Sequence, residues 1–141
     1  MALFSTASDG DETERHEEEN AVTMNSARDV VDRYFTAMAS KDFAAMRPLL
    51  HDDVSFKGAL GTTDGAEDYI SGLQGMMATM TGMERRVIFA KGEDVCQVYA
   101  LTLAEPPVTL PIAQWLTVRD GRIAALRVYF DPRPLFETSA S

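Results

Sequence analysis

The chain has 141 residues, of which 45% are hydrophobic, and it carries a formal net charge of −9 at pH 7. This length and this composition are typical of one globular domain that buries its own core. The negative charge argues against binding to nucleic acid or to an anionic membrane surface, because both need clustered lysine and arginine. We therefore expect no nucleic acid and no membrane among the partners.

The cysteine content and the start of the chain indicate the compartment. Cys96 is the only cysteine, so an intrachain disulfide cannot form and nothing indicates an oxidising environment. The opening residues, MALFSTAS, lack the basic and apolar regions of a signal peptide. No apolar run is long enough to cross a bilayer. We expect a cytoplasmic protein.

The acidic residues are concentrated near the N-terminus. Residues 9–19, DGDETERHEEE, contain seven acidic side chains and one arginine. Such a segment buries too little apolar surface to offset its ordering entropy. We predict a disordered N-terminal tail over residues 1–24, one domain over residues 25–136, and a disordered C-terminal tail over residues 137–141.

The first structured element is an amphipathic helix. Ser26 and Asp29 form a capping pair, and apolar residues then recur at helical spacing from about Ala27 to Lys41. Tyr34 lies in the middle of the apolar face. We therefore predict that Tyr34 points into the interior of the domain.

Shorter elements follow this helix. We predict a short helix over residues 42–50 that Asp42 caps, a strand over residues 54–58, a polar break over residues 61–65 and a third helix over residues 66–80. Methionines are frequent at the end of that helix and just beyond it: Met76, Met77, Met80 and Met83. We interpret them as core, with the adaptable mouth of a pocket as the alternative.

A change to a period of two residues from Glu84 onward predicts strands. Residues 86–91 and 95–104 form two of them, and residues 111–132, PIAQWLTVRDGRIAALRVYFDP, form a hairpin closed by Asp120-Gly121. The order helix, helix, strand, helix and four antiparallel strands predicts an α+β fold, with the helices on one face of a curved sheet.

The hairpin register determines which side chains share a face. A two-residue turn with regular pairing places Trp115 opposite Leu126 and Ala113 opposite Val128. Strand alternation then puts these four residues on one face. The opposite face would carry the residues Ile112, Gln114, Leu116, Arg127 and Tyr129.

The segments VVDRYFTAM, SKDFAAMRPLLHDDVSF and DGRIAALRVYFDP, in this order, resemble the SnoaL-like branch of the nuclear transport factor 2-like superfamily. The resemblance covers about Ser26 to Leu135. It implies a cone-shaped α+β barrel, a pocket between the helices and the concave sheet face, and a homodimer formed through the outer face. The family includes ketosteroid isomerases, limonene epoxide hydrolases, polyketide cyclases and members without demonstrated catalysis.

The resemblance allows the catalytic positions of the ketosteroid isomerases to be compared with this chain. Tyr34 matches their hydroxyl donor on the first helix. Gly58 occupies the position of their proton-shuttling aspartate, and Ala113 occupies the position of their second donor. Proton transfer needs a base, so we do not expect isomerisation by that mechanism.

The acidic residues of the other enzymes are also missing. Epoxide hydrolases of this fold use an Asp–Arg–Asp set, and the matching positions here are Val128, Tyr99 and Leu101. The cyclases similarly place an acidic residue at the position of Val128. The sequence therefore predicts an apolar pocket floor.

Six candidate ligand-binding residues follow from the resemblance: Tyr34, Phe56, Tyr99, Ala113, Trp115 and Val128. Tyr34 either donates a hydrogen bond to a ligand oxygen or is a core tyrosine bonded to the protein. Trp115 is expected to form a pocket wall. We place His51 on the surface, with a catalytic role as the alternative, and predict that Asp131 ends its strand or bonds nearby backbone. His16 and His51 have no partners at metal-ligand spacing, so we predict no metal and no cofactor.

Three functions remain open. The first is binding of a small lipophilic molecule, and an open apolar cavity without an acid would favour it. The second is an isomerase, cyclase or hydrolase acting on a polyketide-like or steroid-like substrate, which a buried carboxylate with a raised pKa would favour. The third is a non-catalytic homodimeric interaction module, which a filled interior would favour; a mixed outer face with Arg127 opposite Gln114 fits such a homodimer interface.

Overall fold

The computed structural model describes residues 27–137. The predicted tail over residues 1–24 lies outside the described residues, as does most of the predicted C-terminal tail. Glu137, which was assigned to that tail, is instead the last residue of a helix.

The helices are α1 (residues 27–39), α2 (Phe43–Met46), α3 (Ala66–Met76) and α4 (Arg133–Glu137). Short 3₁₀ helices, Arg47–Leu49 and Met77–Thr79, extend α2 and α3. The strands are β1 (Leu50–Gly58), β2 (Gly61–Asp64), β3 (Met80–Lys91), β4 (Asp94–Ala104), β5 (Pro107–Arg119) and β6 (Arg122–Tyr129). None of the helices within residues 27–137 is long and apolar enough to cross a membrane. The cytoplasmic location stays a prediction.

The short second helix begins and ends for local reasons. The side chain of Asp42 accepts a hydrogen bond from the backbone N–H of Ala45 at 3.0 Å, which satisfies one free donor at the helix start. Pro48 lies in the first turn of the following 3₁₀ helix, where its missing N–H removes no bond. The chain can therefore turn directly into β1.

The six strands form one curved, open sheet in the order β2-β1-β6-β5-β4-β3. The predicted α+β architecture is confirmed, and β3 to β6 pair antiparallel as predicted. The sheet is mixed, because β1 pairs parallel with β6. β2 was predicted as a break but pairs with β1 as a short antiparallel edge strand.

A β-bulge changes the predicted hairpin register. Arg119–Arg122 and Val118–Ile123 pair as predicted, but the register then shifts. Ala124 is the extra residue of the bulge, so the side chains of β6 beyond it point to the opposite face from the one that regular alternation predicts. The observed partners beyond the bulge are Thr117–Ala125, Trp115–Arg127 and Ala113–Tyr129. The predicted pairs Trp115–Leu126 and Ala113–Val128 are wrong.

The core lies between the helices and the inner face of the sheet. On β5, which alternates regularly, Ile112, Gln114, Leu116 and Val118 point inward, and all four are buried. Tyr34 of α1 is also fully buried, as its place on the apolar face predicted. The core side chains with no exposed surface are Val31, Tyr34, Met46, Leu50, Val54, Val95, Leu116 and Ile123.

Candidate ligand-binding site

A cavity of about 430 Å³ separates the helices from the concave face of the sheet. Its lining comes from α1, α3, the β1–β2 hairpin and the inner faces of β4 to β6. The exposed residues Leu60, Gly61, Thr62 and Gly72 also line it, so its mouth lies between the β1–β2 turn and α3. The apolar side chains of the lining are Met38, Phe56, Ala59, Leu60, Leu73, Met76, Met77, Leu101, Ile112, Val128 and Phe130.

The polar side chains of the lining are all uncharged. They are Tyr34, Thr62, Thr63, Tyr69, Tyr99 and Gln114. Of the described residues that line the cavity, none is an aspartate, glutamate, histidine, lysine, arginine or cysteine. The described lining therefore contains hydroxyl and amide groups but no ordinary general base.

Two tyrosine hydroxyl groups meet inside the cavity. Tyr34 of α1 and Tyr69 of α3 hydrogen-bond to each other, and the side-chain amide Nε2 of Gln114 lies 3.5 Å from the Tyr34 hydroxyl as a donor. Burial raises the pKa of Tyr34 to about 12, partly opposed by the hydrogen bonds with Tyr69 and Gln114. Burial and the neighbouring Tyr34 raise the pKa of Tyr69 well above its usual value.

Tyr99 provides a third hydroxyl from β4. Its ring packs edge-on against Phe35 with centroids 5.5 Å apart, and burial raises its pKa. Among the described residues, the Tyr99 hydroxyl has no hydrogen-bond partner. All three buried tyrosines are therefore protonated near neutral pH, and each can act as a donor.

A chain of polar side chains leads from the protein surface to Tyr34. Asp32 of α1 pairs with Arg85 of β3, with 2.7 Å between Oδ1 and Nη1. Arg85 Nε donates to Gln97 Oε1 at 3.1 Å, and Gln97 Nε2 donates to Gln114 Oε1 at 2.8 Å. We call Asp32, Arg85, Gln97, Gln114, Tyr34 and Tyr69 the polar relay.

The structure places four of the six predicted ligand-binding residues at the cavity. Tyr34, Phe56, Tyr99 and Val128 line it. Ala113 and Trp115 lie on the opposite, outer face of the sheet, because the bulge at Ala124 places Gln114 rather than Ala113 opposite Val128. Their predicted placement on the pocket side is wrong.

Trp115 has its own contacts on the outer face. Its ring stacks under the guanidinium of Arg127, 3.8 Å from the ring centroid, and its indole N–H donates to Asp94 at 3.0 Å. Thr117 also donates to Asp94, and these two hydrogen bonds lower the pKa of that carboxyl group. Trp115 therefore belongs to a polar–aromatic cluster on the outer face.

The remaining polar candidates lie away from the cavity. His51 Nε2 is 2.6 Å from the backbone oxygen of Arg119, which ties β1 to the β5–β6 turn. Asp131 accepts from the side chain and the backbone N–H of Arg133, and these bonds lower its pKa to about 2. The strand ends at Tyr129, two residues earlier, and Asp131 bonds the nearby backbone instead, which is the second of the two predicted roles. Within residues 27–137, no group of three or more His, Cys, Asp or Glu side chains could hold a metal ion.

Sequence reasoning missed four polar residues of the lining: Thr62, Thr63, Tyr69 and Gln114. Thr62 and Thr63 lie in the segment that was predicted as a polar break. Gln114 was placed on the outer face because the bulge was not foreseen. Tyr69 of α3 was not named as a candidate, although Tyr69, Leu73 and Met76 recur at the i, i+4, i+7 spacing of one helix face. That spacing was sufficient to find Tyr69.

These features define a class: an α+β domain in which helices cover a curved mixed sheet and enclose a cavity. The sequence profile described as "SnoaL-like domain" matches residues 31–126. The chain belongs to this SnoaL-like family, within the nuclear transport factor 2-like fold. A comparison with curated proteins gave no significant match.

Solved structures share this fold over most of their length. An NTF2-like protein of unknown function from Cytophaga hutchinsonii is 29% identical, with a TM-score of 0.70, 78% of this chain covered and 94% of that chain. An LEH-like epoxide hydrolase from M. tuberculosis is 24% identical, with a TM-score of 0.69 and coverages of 82% and 90%. A protein described as a ketosteroid isomerase from Kribbella flavida is 18% identical, with a TM-score of 0.68 and coverages of 77% and 79%.

Proposed function

We propose that this protein binds a small, uncharged, lipophilic molecule with a hydrogen-bond acceptor oxygen, such as a ketone. The observation that carries the proposal is the composition of the cavity lining, in which apolar side chains surround three protonated tyrosine hydroxyl groups. A charged ligand would find no opposite charge among the described lining residues. A ketone oxygen would find a donor.

The apolar part of the lining provides the affinity. Burial of a ligand's apolar surface contributes about 25 cal/mol for each Å² removed from water. Met38, Met76 and Met77 line the cavity, and their flexible thioethers can adapt to ligands of different outline. The hydroxyl groups then orient a ligand that the hydrophobic effect holds.

Enzymatic turnover is the second candidate. Tyr34 retains the position of the ketosteroid isomerase hydroxyl donor, and two of the structural relatives are described as an epoxide hydrolase and as an isomerase. A reaction of the isomerase type removes a proton next to a carbonyl group, and this step needs a base. The described lining contains none, so we propose binding ahead of catalysis.

Deuterium exchange separates these two functions. α-Tetralone carries exchangeable hydrogens next to its carbonyl group and fits the proposed ligand class. We expect the protein in D₂O to exchange these hydrogens no faster than buffer does, as measured by mass spectrometry. Faster exchange that Tyr34→Phe removes would establish proton transfer at this site and favour the enzyme.

The outer sheet face supports a proposed homodimer. The exposed or half-exposed side chains of Val87, Phe89, Trp115 and Tyr129 lie there, and an apolar and aromatic face of this kind is typical of protein interfaces. We expect sedimentation to give a dimer that Phe89→Asp dissociates. Leu60→Asp, at the cavity mouth, is the matched control and should leave the dimer intact. A monomeric wild-type protein would contradict this proposal.

A thermal-shift screen tests ligand binding. The probes are α-tetralone, its hydrocarbon counterpart tetralin, and a panel of phenols and steroids. A ligand at about one hundred times its Kd raises the free energy of unfolding by about 2.7 kcal/mol. For a domain of this size the Tm should rise on the order of 10 °C. No shift with any probe would contradict the proposed function and favour the interaction module.

A further inference from the structure

The polar relay connects the surface of the protein to the cavity. It begins at the ion pair of Asp32 and Arg85, passes through the side chains of Gln97 and Gln114, and ends at the pair of Tyr34 and Tyr69. The two glutamines are 1% and 2% exposed. Both side chains are therefore almost inaccessible to bulk water, and their partners are those within the relay.

Arg85 determines the direction of the hydrogen bonds. A guanidinium group can only donate, so Gln97 must turn its oxygen toward Arg85. The amide nitrogen of Gln97 then faces Gln114, which must present its own oxygen. The nitrogen of Gln114 consequently faces Tyr34. Each hydrogen bond from Arg85 to Tyr34 runs toward the cavity.

The surroundings of Arg85 oppose the reverse orientation. Its Nη2 atom is buried and has no hydrogen-bond partner among the described residues. Donors near Arg85 are therefore already in excess of acceptors. Turning the amide of Gln97 would place two donors against each other, which costs more than a lost hydrogen bond.

The direction of the relay fixes the number of free hydroxyl protons. Tyr34 accepts from Gln114, and the two tyrosines use one proton between them. Two hydroxyl groups carry two protons, so one proton of the pair has no partner among the described residues. Both tyrosines line the cavity. The pair therefore presents one O–H donor to a ligand.

We propose that Arg85 is a positioning residue that makes the tyrosine pair a donor and so selects ligands with an acceptor oxygen. This inference rests on the proposed function of the cavity. Without the cation, both glutamine amides can turn, Tyr34 can donate to Gln114, and Tyr69 can donate to Tyr34. The pair then has no O–H left for a ligand.

The test is the preference for a ketone over its hydrocarbon, expressed as the Kd of tetralin divided by the Kd of α-tetralone. We expect this ratio to fall by about fivefold in Arg85→Met, the effect of one hydrogen bond. The Kd of tetralin should stay unchanged, because tetralin makes no hydrogen bond. Arg85→Lys keeps a cation that only donates, and it should retain most of the wild-type ratio.

Arg85→Met also removes the ion pair with Asp32. If that variant does not fold, a second variant tests the inference. Gln97→Met leaves that pair in place, interrupts the relay and should lower the ratio equally. An unchanged ratio in Arg85→Met or Gln97→Met would overturn the inference. It would also be overturned if Arg85→Lys lowered the ratio as much as Arg85→Met does. If only Tyr99→Phe lowers the ratio, Tyr99 is the donor and the inference is also overturned.

Failure of the proposed function gives a different result. In that case the wild-type protein binds neither α-tetralone nor tetralin, and both proposals are overturned. Wild-type protein that binds both probes with the same Kd supports an apolar cavity and overturns only the role of the relay.

Discussion

Tyr34 and Tyr69 are 35 residues apart in the sequence, and their hydroxyl groups hydrogen-bond to each other inside the cavity. The two residues are not equivalent, because Tyr34 also accepts a hydrogen bond from Gln114. Tyr69 has no second side-chain hydrogen bond among the described residues. Among the described residues, the hydrogen bonds of the pair thus reach the sheet through Tyr34, whereas the Tyr69 ring packs against Phe56 of β1.

This difference predicts unequal effects on stability. Tyr34→Phe leaves the buried amide nitrogen of Gln114 without a partner, which costs about 1–3 kcal/mol. Tyr69→Phe removes only the hydrogen bond of the pair, with a net cost of about 1 kcal/mol. We expect urea unfolding to rank Tyr34→Phe as the less stable variant. The opposite ranking would show that Gln114 does not depend on Tyr34.

The buried tyrosines predict a loss of stability at high pH. The pKa of Tyr34 rises from 10.0 in the unfolded chain to about 12 in the folded protein, and those of Tyr69 and Tyr99 also rise. The folded state therefore holds these protons more tightly, and its advantage is complete below pH 10. We expect the free energy of unfolding to fall as the pH rises from about 10 toward 12.

Ultraviolet absorbance of phenolate measures this directly. The three buried tyrosines should ionise together with alkaline unfolding, as followed by circular dichroism. Their ionisation in protein that is still folded, well below pH 12, would contradict the burial described for them.

The outward position of Trp115 predicts its fluorescence behaviour. Trp115 is the only tryptophan, and 38% of its surface is exposed. We expect acrylamide to quench its emission in the monomer and saturating tetralin to leave this quenching unchanged, because the ligand occupies the other face of the sheet. Protection of Trp115 from acrylamide by tetralin, measured at a concentration where the protein is monomeric, would contradict the outward position. It would show that Trp115 lies at the pocket wall.

The parts of the fold that depend on local sequence were predicted well. The apolar stripe of α1, the cap at Asp42 and the turn at Asp120-Gly121 are each encoded within a few residues. The antiparallel order of β3 to β6 follows from short connections between strands. Such features need no knowledge of distant contacts.

The bulge at Ala124 depends on contacts that are distant in sequence. β6 pairs with β5 on one side and with β1 on the other, and the register is irregular on both sides. Ile123 and Leu126 both point inward, although regular alternation would separate them. Burying both requires one extra residue between them, and the hairpin sequence alone does not show this.

The same reason explains the errors at the site. Tyr34 and Val128 were placed correctly by the resemblance. Because the bulge was not predicted, Ala113 and Trp115 were wrongly placed at the pocket, and Gln114 was wrongly placed on the outer face. The relay joins Arg85, Gln97 and Gln114 from three different strands, so no spacing along the chain predicts it.

The most direct test of the central claim is the binding of α-tetralone by calorimetry to two glycine variants of α3. Gly72 lines the mouth of the cavity whereas Gly75 does not, and a Cβ atom at either position would meet nothing within 4 Å beyond its chain neighbours and its own helix backbone. Leucine at either site should favour the helix by up to about 1 kcal/mol, so both variants should fold. We predict that Gly75→Leu binds α-tetralone like the wild-type protein. We predict that Gly72→Leu binds it at least about tenfold more weakly, because a tenfold rise in Kd needs a loss of only roughly 1.4 kcal/mol of binding free energy. Equal binding by Gly72→Leu, or no binding by the wild-type protein, would contradict the account.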